Sequence, residues 1–519
     1  MASRISQLPS TESTGPSQIV DEVRSLRAII RNKQTGDAQP QKALSGVADN
    51  YSRQLPVRVV IKLLEVLKSP FRLLFFMHPI EGPQYLESLA QRIYFPVAPI
   101  SIGELTVFYG LLYNHIREVI EVDKVSDMSL PELRRYQDVC FEAFQAGVQS
   151  SELYAVPTHA NTLALTIAIL DAQFTGNLAL QWNLTSAAAR HCITLAYHRE
   201  ATVQKMSAEM AKQCRRLFWH VYVSSQSMVL PLGKAPMIHD YDVDLNPMVA
   251  TSDSASAAWT AAFDLMRAFF SLQASVYQRL YSPWATNLCS ESRVRTVQEL
   301  SADLEQWFGR WLSVDHSRAH HSELFHVLFI PVHVAYYSLL ALIHRAATSS
   351  SSIEEVSSEC FTFARKGLQT HLSLYPQVAA IGTGAVQLYA IWVFVRSSFT
   401  PYIVTFVHCI SQTDKNDLDT LREVLGTLDE IATVANHCQR QVEVCKALYR
   451  TAHAFIHSNQ NAAQQAQAHH ERTINLPLQH YDTDLFDWDL LQSDIDSWVA
   501  DGMNRSAVTL GIQLDGSTQ

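Results

Sequence analysis

Residues 215–222, Arg215-Arg216-Leu217-Phe218-Trp219-His220-Val221-Tyr222, run on to Leu232-Gly233-Lys234-Ala235-Pro236-Met237-Ile238-His239-Asp240-Tyr241-Asp242-Val243-Asp244. In the first piece Leu217, Phe218, Val221 and Tyr222 fall at i, i+1, i+4 and i+5, one broad apolar stripe on a helix. Pro231 and Gly233 predict its end, because proline cannot continue a helix and glycine suits a left-handed cap. The aspartates then open an exposed segment. The spacing predicts a packed helix-turn that serves architecture and not chemistry.

The same periodicity continues on both sides. Val57 to Leu67, Ile102 to Val119, Leu130 to Phe144, Leu163 to Leu170 and Leu178 to Leu195 carry apolar residues at helical spacings. So do Met206 to Leu230, Trp259 to Leu280, Val294 to Leu312, Leu324 to Ile343, Cys360 to Leu374, Val386 to Val407 and Leu418 to Tyr449. No run of strict alternation bounded by hairpin turns interrupts them. The fold class is therefore all-α, a large multi-helix domain between disordered N- and C-terminal segments. Residues 1–18 read as a disordered Ser/Thr/Pro-rich start, 19–33 as a short coiled-coil-like helix and 34–54 as a linker. Residues 55–456 form the helical body, 457–480 a second linker and 481–519 an acidic-aromatic tail.

Composition agrees with a globular body: 47% of the 519 residues are hydrophobic and only 17% charged. A formal net charge of -10 and a pI near 6.1 argue against a bulk surface that neutralises phosphates. The eight cysteines, from Cys140 to Cys445, lie scattered in apolar runs, which implies reduced thiols. No apolar stretch follows the polar start, so no secretory signal is read and the sequons at Asn183 and Asn504 carry no weight. Two apolar stretches, Leu324 to Ile343 and Ala379 to Ile410, approach the length of a membrane span. His326 and His333 interrupt the first, and Arg396 and Pro401 the second, so both read as buried core helices.

The motif has company upstream. Ala187-Ala188-Ala189-Arg190 and Leu195-Ala196-Tyr197-His198-Arg199-Glu200 close a helix, and Leu163-Ala164-Leu165 through Gly176, Ala179 and Trp182 precede it. Together with residues 215–244 these resemble the middle regulatory domain of fungal zinc-cluster transcription factors. That family's pattern reads R-R-R-x-F-W-x-x-Y, then L-G-R-P-x-x-I-x-D-x-D-I-D. The resemblance spans roughly residues 85–320. Departures are Ser224-Ser225-Gln226 where the family has L-D-R, and Lys234-Ala235 in place of Arg-Pro. The lost Asp-Arg pair bears on local detail, not on the fold.

The resemblance implies a transcriptional regulator, nuclear, of metabolic or secondary-metabolite genes, and not an enzyme. It also implies six N-terminal cysteines holding two zinc ions, whereas the first cysteine here is Cys140. This chain by itself is therefore expected to hold no cofactor or metal and to make no specific DNA contact. Zinc enters only with a cluster outside this sequence, through a lost first exon, and otherwise the chain is a paralogue acting as co-regulator. Ile19, Val23, Leu26 and Ile30 form an a/d seam resembling the dimerisation coil that follows such a cluster, enough for a weak homodimer. From Tyr481 to Asp501 seven aspartates and no lysine or arginine surround Leu485, Phe486, Trp488, Leu491 and Trp498. That composition suits an activation segment whose partner is a transcriptional coactivator, and equally a helix docking on the chain's own body. DNA would then be reached through a DNA-binding partner protein, and no membrane is involved. The alternative is a helical ligand-binding or scaffolding protein that does not act on chromatin.

Sharper motifs fail on their own terms. Asp240-Tyr241-Asp242-Val243-Asp244 opens like a calcium loop, but its sixth and twelfth positions are Leu245 and Thr251 where glycine and glutamate are needed. His316, His320 and His321 include an i, i+4 pair without a supporting carboxylate, and read as a solvated loop or helix end. Gly382-Thr383-Gly384 lacks its third glycine, since Gln387 stands there, and lacks a preceding strand. Cys438 and Cys445, two helical turns apart, read as core thiols.

Overall fold

A computed structural model describes residues 55–68, 72–80, 82–120, 128–248, 254–347, 357–396 and 400–470. The seam of Ile19, Val23, Leu26 and Ile30 and the tail with Leu485, Phe486, Trp488, Leu491 and Trp498 lie outside the described residues. Among those described there is no strand, and helix accounts for most of their length. They fall into two compact units, one from 55 to 330 with Gln387–Ile391, the other from 331 to 386 and 392 to 470. The stretch read from periodicity as one body is thus divided.

The longer helices of the first unit are α1 (Val57–Val66), α2 (Pro83–Tyr94), α3 (Ile102–Glu118), α4 (Leu130–Val148), α5 (His159–Phe174) and α6 (Leu178–Thr194). They are followed by α7 (Ala208–Ser227), α8 (Ser254–Val276), α9 (Ser290–Leu312) and α10 (Ser322–Phe329). Capping chemistry sets many of the starts. Before α3 the Ser101 N–H donates to Glu104 Oε2 at 2.9 Å, while the Glu104 N–H donates to Ser101 Oγ at 3.2 Å. Ser129 and Glu132 repeat this box at α4. Thr158, Asn177 and Ser207 accept the Asn161, Leu180 and Met210 N–H groups at α5, α6 and α7. Each such cap contributes about 1 kcal/mol.

Helix α3 packs on α4 and α5, α5 on α6 and α7, and α7 on α8, which in turn meets α9. Phe108, Phe144, Ile167, Leu184 and Phe218 share the resulting core. Gly110 allows a close approach: a Cβ there would lie 2.8 Å from the Phe144 ring and 3.0 Å from Ile167 Cγ2. The bare backbone lets three helices meet where any larger residue would hold them apart.

In the second unit α11 (Val332–Arg345) packs on α12 (Ser358–Ala379), and α12 on α13 (Thr400–Gln412). Helices α14 (Lys415–Val434) and α15 (Gln439–His470) close on α13. The buried Tyr402 hydroxyl donates to the Leu421 and Cys445 carbonyls at 3.4 and 3.3 Å, tying the three together. Helix α15 continues to His470, into the stretch read as a linker; its Ala and Gln residues are adequate helix formers once a packed helix precedes them.

The apolar stretch around Leu324 to Ile343 is the two helices α10 and α11, interrupted at Ile330 and Pro331. Among the described residues Ser322–Arg345 is long and apolar enough to cross a membrane, and 83% of its apolar window is buried inside the protein. Burial in the core accounts for that composition. All eight cysteines are free thiols, with Cys438 and Cys445 buried and Cys289 exposed.

Candidate functional site: a polar clasp on the tryptophan helix

Helix α7 carries the stripe that the periodicity marks. Leu217, Phe218 and Val221 are wholly buried, and Trp219 and Tyr222 nearly so. Burying side chains of this size contributes about 1.5–3 kcal/mol each. Trp219 meets Tyr222 edge to face at 5.1 Å between ring centroids, and the Arg267 guanidinium lies 4.8 Å over the Trp219 ring. The helix stops at Ser227, earlier than Pro231 suggests, and a single further turn over Val229–Leu232 precedes Gly233. Gly233 has φ +58° and ψ +34°, the left-handed cap read from the sequence.

The aspartates that follow are fasteners, each holding a different part of the motif. One oxygen of Asp240 accepts the Tyr222 hydroxyl, and the other accepts the Ser271 hydroxyl at 2.9 Å from α8. Burial, and then the bond to Asp240, push the Tyr222 phenol above its ordinary value. Asp242 pairs with Arg199. Asp244 Oδ1 accepts the Glu200 N–H at 2.9 Å, and its own N–H donates to the His198 carbonyl at 3.3 Å.

Glu200 is the centre of the arrangement. Arg215 grips both of its oxygens at 2.6 and 2.9 Å, and the Asn246 N–H donates to Oε2 at 2.9 Å. These bonds, that from Arg215 foremost, hold the Glu200 carboxyl at about 2. The Asn246 carbonyl accepts from Arg215 Nη1 and from Trp219 Nε1, both at 3.0 Å. Three pieces of sequence, the His198-Arg199-Glu200 corner, the tryptophan helix and the aspartate loop, are thereby closed into one clasp.

The positions that depart from the family pattern have work of their own. The Met237 and Ile238 N–H groups donate to Ser225 Oγ at 3.0 and 3.3 Å, and Gln226 Nε2 donates to the Ile238 carbonyl at 2.8 Å. Neutral hydrogen bonds therefore hold the start of the aspartate loop where Asp and Arg are expected. Lys234, standing for the arginine, places its ammonium 4.9 Å over the Trp182 ring.

His316, His320 and His321 occupy the turn before α10, and no helix face gathers them. His316 stacks on Phe325, the His320 carbonyl accepts Trp259 Nε1 at 2.9 Å, and His321 takes a left-handed conformation at the helix start. Gly382 precedes the helix over Thr383–Ala390, without a strand before it among the described residues.

One cluster has no sequence signal. In the second unit His408, Asp414 and Asp417 place ligand-type atoms within 4.8 Å of one another. The Arg365 guanidinium sits among them, 2.7 and 3.0 Å from the Asp417 oxygens and 2.9 Å from Asp414 Oδ2. It supplies the cation that such a set of ligands gathers, so the cluster is an ion-pair knot joining α12, α13 and α14. Its members lie up to 52 positions apart in the chain, beyond the reach of any local pattern.

The clasp closes the motif on itself by polar bonds within an all-α body. Residues 154–319 match the fungal specific transcription factor domain, a range that contains the whole clasp. An uncharacterized transcriptional regulatory protein of Schizosaccharomyces pombe is 21% identical over 342 residues, covering 60% of this chain and 52% of the relative. ABC-transporter-regulating transcription factors of Aspergillus fumigatus and Aspergillus oryzae are each 26% identical over 185 residues, 33% of this chain and 21% of theirs. The chain thus spans about half the length of the first relative and about a fifth of the other two. No solved structure matches it.

Proposed function

We propose that this chain is a nuclear transcriptional regulator of the fungal type, controlling metabolic or secondary-metabolite genes. The observation that carries the reading is the clasp: residues 198–246 unite every piece of the family motif, inside the segment that matches the family model. The names of the relatives support transcriptional regulation, two of them being named as ABC-transporter-regulating transcription factors. In this reading the helical body is a scaffold with no catalytic role. The tail with Leu485, Phe486, Trp488, Leu491 and Trp498 engages a coactivator as an induced amphipathic helix. Ile19, Val23, Leu26 and Ile30 add a weak dimer contact. DNA is reached through a zinc cluster or a DNA-binding partner protein.

Fusing residues 475–519 to an unrelated DNA-binding domain tests the tail. Reporter activation that disappears when Phe486 and Trp488 become alanine is the expected result; a silent fusion removes the activation segment. Deletion of the gene tests the rest. Altered transcript levels together with nuclear localisation support regulation, whereas a cytosolic protein and unchanged transcripts favour a ligand-binding or scaffolding role.

A further inference from the structure

In the first unit the stretches 95–101 and 155–158 lead into α3 and α5 at the same end. The first turns of the two helices touch there: a Cβ on Gly103 would lie 2.9 Å from the Asn161 nitrogen, and Asn161 Nδ2 donates to the Val156 carbonyl at 2.8 Å. What the two stretches show to solvent is apolar. Phe95 is 72% exposed, Val97 99% and Val156 44%, and Pro96, Ala98, Pro99 and Ala155 are exposed with them. No charged residue occurs from 93 to 103 or from 153 to 158. Exposed apolar residues are ordinary when single, whereas a contiguous set marks a contact surface. The backbone is already in place for one. Pro96 and Pro99 fix their own φ angles, the Phe95 N–H donates to the Gln91 carbonyl at 2.9 Å, and the Ser101–Glu104 box anchors the far end. Little ordering remains to be done on association.

We propose that residues 95–99 with Val156 form a body-to-body contact between two copies of this chain, acting together with the seam of Ile19, Val23, Leu26 and Ile30. Two observations choose this occupant. The uncharged face meets its own copy without a like-charge contact and gives an acidic or basic partner nothing to pair with. The Tyr94 hydroxyl, on the residue before Phe95, donates to the Leu55 carbonyl at 2.6 Å, so the chain arriving from the seam joins the body beside this face. Neither half suffices alone. A stable interface buries about 800 Å² per partner, more than this short face supplies, and barely two heptads make a marginal coil. Residues 31–54 link the halves, so closing one raises the effective concentration of the other. The inference rests on the dimer contact of the proposed function and adds a second surface to it. The reporter test of the tail does not involve it, and separate substitutions report on seam and face.

Sedimentation equilibrium of the full chain at micromolar concentration tests this. A dimer is expected, tightening as salt rises, because screening removes the repulsion between two chains that each carry a net charge of -10. Phe95→Ser and Val97→Lys should each weaken it about tenfold or more. Both side chains lie in solvent in the single chain, so the melting temperature of the monomer stays at the wild-type value. Val97→Lys also lowers the net negative charge, so weakening there reports the lost apolar contact and not added repulsion between the chains. Leu26→Glu should weaken the dimer as well. A dimer that Leu26→Glu dissociates while Phe95→Ser and Val97→Lys leave it unchanged overturns the proposal and keeps only the seam. A chain that stays monomeric throughout overturns both, and a dimer that loosens as salt rises rests on ion pairs and overturns the apolar contact.

Discussion

Replacing Glu200 by glutamine removes the charge at the centre of the clasp while keeping its shape. In the native protein this carboxylate accepts two bonds from Arg215, at 2.6 and 2.9 Å, and one from the Asn246 N–H at 2.9 Å. These bonds lower its pKa from 4.5 to about 2. That change corresponds to roughly 3 kcal/mol of preference for the ionised form. The side chain keeps 15% exposure, and solvent screening reduces the figure, so the expected loss at pH 7 is about 2 kcal/mol. The sign with pH follows from the direction of the shift. The stabilisation is complete above the unfolded value near 4.5 and is lost as pH falls towards about 2, where the native carboxylate takes up its proton. Urea unfolding of wild type and Glu200→Gln, at pH 7 and at steps below pH 4.5, measures both effects. A paired Arg215→Met series isolates the coupling, expected at about 1–2 kcal/mol. A difference below about 0.5 kcal/mol at pH 7, or one that persists unchanged at low pH, would refute the reasoning.

Tyr222→Phe leaves Asp240 with only the Ser271 hydroxyl and should cost about 1–2 kcal/mol in urea unfolding, with faster hydrogen exchange in the 238–246 loop. Gly110→Ala sets two effects against each other: a gain of about 1 kcal/mol in helix propensity and a clash at 2.8 Å with Phe144 that the packed core cannot relieve. Overpacking wins, and a net loss of about 1–2 kcal/mol is expected; a stabilised variant would show that α3 and α4 can part. Asp417→Asn breaks the Arg365 knot and should cost about 2 kcal/mol, since Arg365 keeps Asp414 and solvent as partners. Burial holds His371 neutral, its pKa lowered from 6.5 to about 4. Its contribution is full above about pH 6.5 and drains by roughly 3 kcal/mol as pH falls to about 4, so His371→Gln should flatten the acid limb of the stability profile in that window.

What the chain determines by itself is local. Ser101 with Glu104 and Ser129 with Glu132 specify helix starts because a cap involves residues three apart. Leu217, Phe218, Val221 and Tyr222 specify a buried face because helical geometry repeats within a turn. Gly233 announces its left-handed cap because other residues resist that conformation. The all-α class and the resemblance around Trp219 rest on such short-range facts. Tertiary structure decided the rest. The three aspartates of the 240–244 loop look like exposed punctuation until packing sets Asp240 beside Tyr222 and the His198-Arg199-Glu200 corner beside Asp242, Asp244 and Arg215. Arg365 finds Asp417 across 52 positions. The two compact units likewise escape a periodicity that runs through both. Polar partners chosen across helices depend on crossing angles and on where each helix stops, and no single segment encodes these.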